Sequence, residues 1–257
     1  MFRLDDSSIS KTASFLVTTV PCGAAIVAAW HLKLADKHLE RKGIGLPLIA
    51  IVNYGMGNLR SVEKAFLAVG HHAFITQNPE EVARAERIVL PGVGAFGAAM
   101  QNLQRLGMAD VVAAAIESGR PFLGICLGLQ LLFTESEELG HHEGLGLIPG
   151  RVLQFFQPED RSPDTDALKV PHMGWNVLDV RRPAPPLEEF PRRGMVYYVH
   201  SFYAKPDDPN LIAGTSSHGI DFCSAIWKDN IFAVQFHPEK SGKLGLCILK
   251  NFGDWRP

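Results

Sequence analysis

This chain has few cysteines, and none stand in a close pair. The four, Cys22, Cys126, Cys223 and Cys247, are scattered, with no C-x-x-C pair and no histidines at zinc-site spacing. That excludes a zinc ribbon or a dithiol redox motif and argues against a stapled secreted domain, so a reduced compartment, the cytoplasm, is expected. Excess basic charge is also missing. Lys and Arg total 25 against 27 for Asp and Glu, a formal charge of -2, which leaves no positive field for nucleic acid. Internal repeats are absent, and no glycine loop is followed by the Lys-Ser/Thr of a nucleotide phosphate cradle, so no cofactor or metal is expected.

Charge is scarcest from Ser14 to Trp30, a stretch with the look of a signal peptide's apolar region or a short membrane span. Asp5 and Asp6 precede it where a signal would be basic, and Pro21 interrupts it. Residues 1–45 are read as a peripheral, poorly ordered extension or a segment outside the native translation start, with a targeting role as the alternative. No membrane association is expected, and the compact domain is placed at 46–257.

At 257 residues the chain can build a core that folds without staples. Pro47 to Val52 is short, apolar and β-branched, and it stops at the turn cluster 53–58, as a buried parallel strand does. A helix from Leu59 to Val69 follows, with Val62, Phe66 and Val69 on one face. The alternation continues with a strand at Ala73 to Thr76, a helix at Pro79 to Arg84 and a strand at Arg87 to Leu90. A helical stretch broken near Gly107 spans Phe96 to Ser118. A strand at Phe122 to Ile125 then runs into Cys126 and a helix through Phe133. This pattern predicts an α/β fold with a mostly parallel central sheet flanked by helices and function gathered at the strands' carboxyl ends. Beyond Gly146 strands dominate, beginning near Arg151, Trp175, Met195, Leu211, Ser224 and Phe232. They are expected to form a mixed or antiparallel extension of the same fold. Residues 157–167 and 181–193 should be loops, and Lys243 to Asn251 the last helix.

Three segments carry chemistry. Cys126 lies between Gly124 and Gly128 at a strand-to-helix junction. A sharp turn there can expose a nucleophile, and the following helix start favours a thiolate and offers free N–H groups to an oxyanion. A lone cysteine at a strand end is usually a small buried hydrophobe, but the flanking glycines and Gln130 argue otherwise. Near the end of the chain an apolar strand delivers His237-Pro238-Glu239 to its edge, a base followed by an orienting carboxylate. On its own this would be a polar turn; beside Cys126 it completes a triad. His71, His72, His141, His142 and His218 fall in polar turns, and His31 and His38 in the extension. The third segment, Pro91 to Gly97, reads better as a loop whose amides hold a tetrahedral intermediate than as a phosphate loop.

Together and in this order, the Pro91 to Gly97 loop, the Gly124 to Gln130 turn and the Gln235 to Glu239 segment resemble the signatures of class I glutamine amidotransferases, which have a flavodoxin-like fold. Residues 53–62, 171–176, 198–203 and 237–241 most closely resemble the glutaminase subunits of imidazole glycerol phosphate synthases of histidine biosynthesis. The resemblance covers residues 46–252. It implies Cys126, His237 and Glu239 as the triad, an oxyanion hole near Val93, Gly94 and Leu127, and glutamine held by Gly92, Gln130, Glu138, Ser201 and Phe202. Gln130, about one helical turn past Cys126, would share its face. It also implies a (β/α)₈-barrel cyclase partner in a one-to-one heterodimer, docked near Asn58, Trp175 and Lys240. Rival readings are another amidotransferase of the class, which would lack the 53–62 and 171–176 stretches, or a partner-independent cysteine hydrolase on the same sheet.

Overall fold

The computed structural model describes residues 49–156 and 168–257. The extension at 1–45, the domain start at 46 and the loop expected at 157–167 lie outside the described residues. A single sheet of thirteen strands runs through them. Its parallel part consists of β1 (Ile49–Val52), β2 (Ala73–Thr76), β3 (Arg87–Gly92), β4 (Phe122–Cys126) and β13 (Ile231–Val234), in the order β2-β1-β3-β4-β13. Every residue of β1, β3, β4 and β13 is buried, and these segments are apolar throughout except for Arg87, whose guanidinium donates to the Trp255 carbonyl at 2.9 Å.

Successive strand residues feed opposite faces. Ile49 and Ile51 join a core with Phe66, Ile248 and Phe252, while Ala50 and Val52 join one with Leu103 and Val112. Helices α1 (Leu59–Ala68) and α6 (Gly242–Asp254) thus cover the first face. Helices α2 (Pro79–Arg84), α3 (Phe96–Arg105) and α4 (Met108–Glu117) cover the second. Full burial of one such side chain, Phe66, contributes roughly 2 kcal/mol. The short α2 is specified at both ends: Asn78 accepts from the Glu80 amide at 2.9 Å, Pro79 opens the first turn, and Arg84 closes the last. The expected break between α3 and α4 falls at Gly107, whose φ of 64° no helix continues.

Beyond β13 the sheet turns antiparallel through β12 (Ile220–Lys228), β10 (Phe202–Pro206) and β7 (Ile148–Gln154), then reaches β5 (Phe133–Ser136) and β6 (His142–Glu143). A branch through β11 (Ile212–His218), β8 (His172–Val180) and β9 (Arg193–His200) leaves β12. The second half therefore extends the first sheet. No helix among the described residues is long and apolar enough to cross a membrane.

Local expectations differ from the structure at several points, among them His142, expected in a polar turn but found in β6. The helix from Cys126 through Phe133 is the single turn α5 (Leu127–Gln130), and Phe133 instead opens β5. Seven residues with one polar member carry no period, and the Leu132 carbonyl, which accepts from the amides of Leu147 and Ile148, draws the chain into the sheet. The strand expected from Met195 to Tyr203 is interrupted at Ser201, which separates β9 from β10. His218, expected in a polar turn, closes β11 and stacks on His172 with ring centres 4.3 Å apart.

Candidate active site

The carboxyl ends of β3, β4 and β13 lie side by side. Register pairs Gly92 with Cys126 and Val234 with Ile125, so the glycine loop, the cysteine and residues 235–239 leave the sheet together. Cys126 holds φ 56° and ψ -108°, a backbone conformation that costs a side-chain-bearing residue about 1–3 kcal/mol. The turn closes because Gly128 presses against β3: a Cβ there would lie 1.7 Å from the Leu90 carbonyl oxygen. Since α5 has only four residues, its dipole is that of one turn, weaker than the sequence suggested. The sulfur lies 3.8 Å from the Val199 carbonyl oxygen and 3.6 Å from Gln235 Nε2.

His237 is pinned from both sides. Its main-chain N–H donates to the Tyr197 carbonyl at 2.9 Å, and its own carbonyl accepts from Ser241 Oγ at 2.7 Å. Pro238 starts a short 3-10 turn that folds Glu239 back, placing its Oε1 2.8 Å from His237 Nδ1. A carboxylate can only accept, so Nδ1 carries the proton and Nε2 is the nitrogen left for the sulfur. That nitrogen is buried and holds no hydrogen bond of good geometry among the described residues. Its tie to Cys126 is therefore chiefly electrostatic.

The imidazole is held protonated all the same. Burial, the largest influence, pulls its pKa down; the Cys126 sulfur, chiefly through charge, and Glu239, through charge and its hydrogen bond, together outweigh it and raise the value from 6.5 to about 10. The stabilisation from this imidazolium is complete below the unfolded value near 6.5 and is lost as pH rises through about 10. Glu239→Gln keeps an acceptor oxygen for Nδ1 but removes the charge that raises the ring, so the His237 midpoint is expected to fall by about one unit, read from the ring proton resonances. An unmoved midpoint would show that Glu239 does not act on the ring.

A cleft of about 330 Å³ opens over the sulfur, lined by Val93, Gly94, Cys126, Leu127, Gln130, Glu138, Pro171, Val199, His200, Ser201 and Phe202. It thus gathers the residues expected to hold an oxyanion or glutamine, apart from Gly92. Gly92 lies behind the cleft wall in β3, where a Cβ would fall 2.1 Å from the Tyr54 hydroxyl. Glu138 accepts from the Phe96 amide at 2.7 Å, which ties the far end of the glycine loop. Burial raises its carboxyl, against that hydrogen bond and the charge of His142. Trp175 is 54% exposed and meets the Tyr197 ring edge-on at 6.0 Å, with the Lys240 ammonium 5.8 Å from the same ring. Asn58 instead sits at the amino end of α1, where its Oδ1 accepts from the Ser61 hydroxyl at 2.9 Å.

Tyr54, Gln235 and His200, not among the expected site residues, are brought by the fold to the sulfur or the cleft. A signal was present for Gln235: a polar residue inside an apolar strand end has to find buried partners.

A family model described as glutamine amidotransferase class-I matches residues 50–254. The imidazole glycerol phosphate synthase subunit HisH of Syntrophotalea carbinolica is 56% identical over 207 residues, covering 80% of this chain and 100% of the relative. Its counterpart from Geobacter metallireducens is 56% identical over 204 residues, 79% of this chain and 96% of that one. Among solved structures, PurLQS from Thermotoga maritima superposes with a TM-score of 0.63 at 19% identity, covering 81% of this chain and 98% of that one. A further glutamine amidotransferase superposes at 0.60 with 17% identity, over 81% and 100% respectively. At such identities the structures speak for the fold, and the sequence relatives speak for the family. This chain belongs to the class-I glutamine amidotransferases, in the HisH branch of that family.

Proposed function

We propose that this chain is the glutaminase subunit of an imidazole glycerol phosphate synthase, hydrolysing glutamine and passing the ammonia to a cyclase subunit. The observation that carries the chemistry is a cysteine in a strained turn at the floor of a cleft, one strand away from a buried histidine clamped by a glutamate. The HisH relatives carry the pathway.

In this reading the Cys126 sulfur attacks the carboxamide carbon of glutamine, and the C–S bond forms as the carbonyl electrons move to oxygen. Amides near Val93, Gly94 and Leu127 take that oxyanion, while Gly92, Gln130, Glu138, Ser201 and Phe202 hold the substrate. His237 gives its proton to the departing nitrogen, the C–N bond breaks, and ammonia leaves. The imidazole, neutral now and steadied by Glu239, takes a proton from water as it attacks the thioester. Glutamate departs and the thiolate–imidazolium pair returns. No cofactor takes part.

The catalytic domain is placed at 46–257, with 1–45 as an appendage, in the cytoplasm. The partner is a (β/α)₈ barrel bound one to one, which accepts ammonia before solvent can protonate it. Trp175 and Lys240, sharing the Tyr197 ring on an exposed face, and Asn58 are assigned to the contact. Glutamine turnover is expected to be weak for the chain alone and to rise by at least about 10²-fold beside the cyclase subunit and its ribotide ligand. Equal rates in both would remove the amidotransferase reading in favour of a self-sufficient hydrolase.

A further inference from the structure

Gln235 follows β13 directly and is completely buried. A buried carboxamide has two donors and an acceptor to satisfy, and here the orientation of the group is dictated by its neighbours. The Phe202 carbonyl, which can only accept, lies 3.0 Å from Gln130 Nε2, so the nitrogen of Gln130 must face it. The same nitrogen lies 3.0 Å from Gln235 Oε1, which makes that atom the oxygen and leaves Gln235 Nε2 facing Cys126 Sγ at 3.6 Å.

Behind this chain stands a second one of matching direction. His200 Nδ1 donates to the Phe202 carbonyl at 2.8 Å, and His172 Nδ1 lies 2.9 Å from His200 Nε2. Burial, the largest influence in both, lowers His200 to about 3 and His172 to about 4, so both rings stay neutral near neutral pH and the direction of the chain is kept. Asn176 closes the far end, 3.1 Å from His172 Nε2.

We propose that Gln235 is a further catalytic residue: its side-chain N–H donates to the Cys126 sulfur and stabilises the thiolate, with Gln130, Phe202 and His200 holding the amide in that orientation. The proposal rests on Cys126 being the nucleophile. A hydrogen bond to an ionised acceptor is about twice as strong as one to a neutral acceptor, so this donor favours the thiolate over the thiol. Among the described residues, the titratable groups around the sulfur are His237, backed by Glu239, Tyr54, and Glu138 and His200 in the wall of the cleft above it. His237 supplies charge that moves with its proton, whereas Gln235 supplies a fixed dipole that survives proton transfer.

The test is the pH profile of Cys126 alkylation by iodoacetamide in the full chain, followed on the Cys126 peptide by mass spectrometry. Gln235→Met removes the donor; Gln235→Glu keeps the length and the acceptor toward Gln130 but turns an oxygen to the sulfur. Both are expected to raise the half-reactive pH by about one unit, and to lower glutamine turnover at neutral pH at least about tenfold in the complex. Synthesis from added ammonium should be unchanged. A folded variant of either kind with an unshifted profile overturns the proposal. A readout in the unaltered chain covers the case in which neither variant folds: the Gln235 side-chain amide resonances should move as Cys126 titrates, and resonances that hold still also overturn it. The nucleophile reading fails separately, if the alkylated chain still turns over glutamine. The catalytic role of Gln235 would then fall too, while the shifted profile would stand.

Discussion

Replacing Cys126 with alanine is expected to abolish synthesis driven by glutamine while leaving synthesis from added ammonium intact in the complex with the cyclase. The fall in glutamine turnover should be at least about 10³-fold, because the cleft holds no second thiol among the described residues. The other described cysteines, Cys223 and Cys247, are buried, in β12 and in α6, and burial pushes the Cys223 thiol up to about 12. Alanine keeps the Cβ and with it the main-chain conformation at this turn, and only one side-chain atom is lost, so the variant should fold. Loss of ammonium-driven synthesis together with glutamine turnover would mean that the substitution had disturbed docking, and the thioester mechanism would lose its main support. Both activities are measured on the same complex, so the partner serves as its own control.

Gly128→Ala should produce the largest loss of stability of any single methyl group added near the site. The new Cβ would stand 1.7 Å from the Leu90 carbonyl oxygen, a main-chain atom of β3 that cannot rotate away. Ordinary overpacking costs about 1–3 kcal/mol because side chains yield; here the strand itself must move, and a loss of at least about 4 kcal/mol is expected. For a domain of this size that is a fall of roughly 10 °C in Tm, or no soluble protein at all. The check is a thermal melt. A melt within about 2 °C of the parent would show that α5 can lift off β3 at little cost, against the close approach described for this turn.

The parts of the molecule legible in the sequence are those where a local pattern and a global need coincide. The runs that became β1, β3, β4 and β13 are apolar on both faces because both faces are covered, and α2 announces itself with a cap, a proline and charges of the right sign at each end. Cys126 and the His237 to Glu239 segment could be matched because each sits at the end of such a run. What local pattern could not reveal was set by distant partners. Leu131 to Phe133 would serve a helix or a strand equally well, and pairing with residues 145–148 decides. Ser201 looks like a strand residue, yet the chain breaks there, and the Phe202 carbonyl beyond it accepts from both His200 and Gln130. The orientation of Gln235 depends on a carbonyl more than thirty residues away, which no periodicity records.

The place of β13 in the sheet has a consequence for synthesis of the chain on the ribosome. This strand follows the cysteine turn by more than a hundred residues and inserts between β4 and β12, so the thiol waits without its imidazole until all the intervening chain has emerged. Such late, long-range closure is slow by comparison with local pairing. A nascent or carboxyl-terminally truncated chain can therefore carry the cysteine turn and still waste no glutamine.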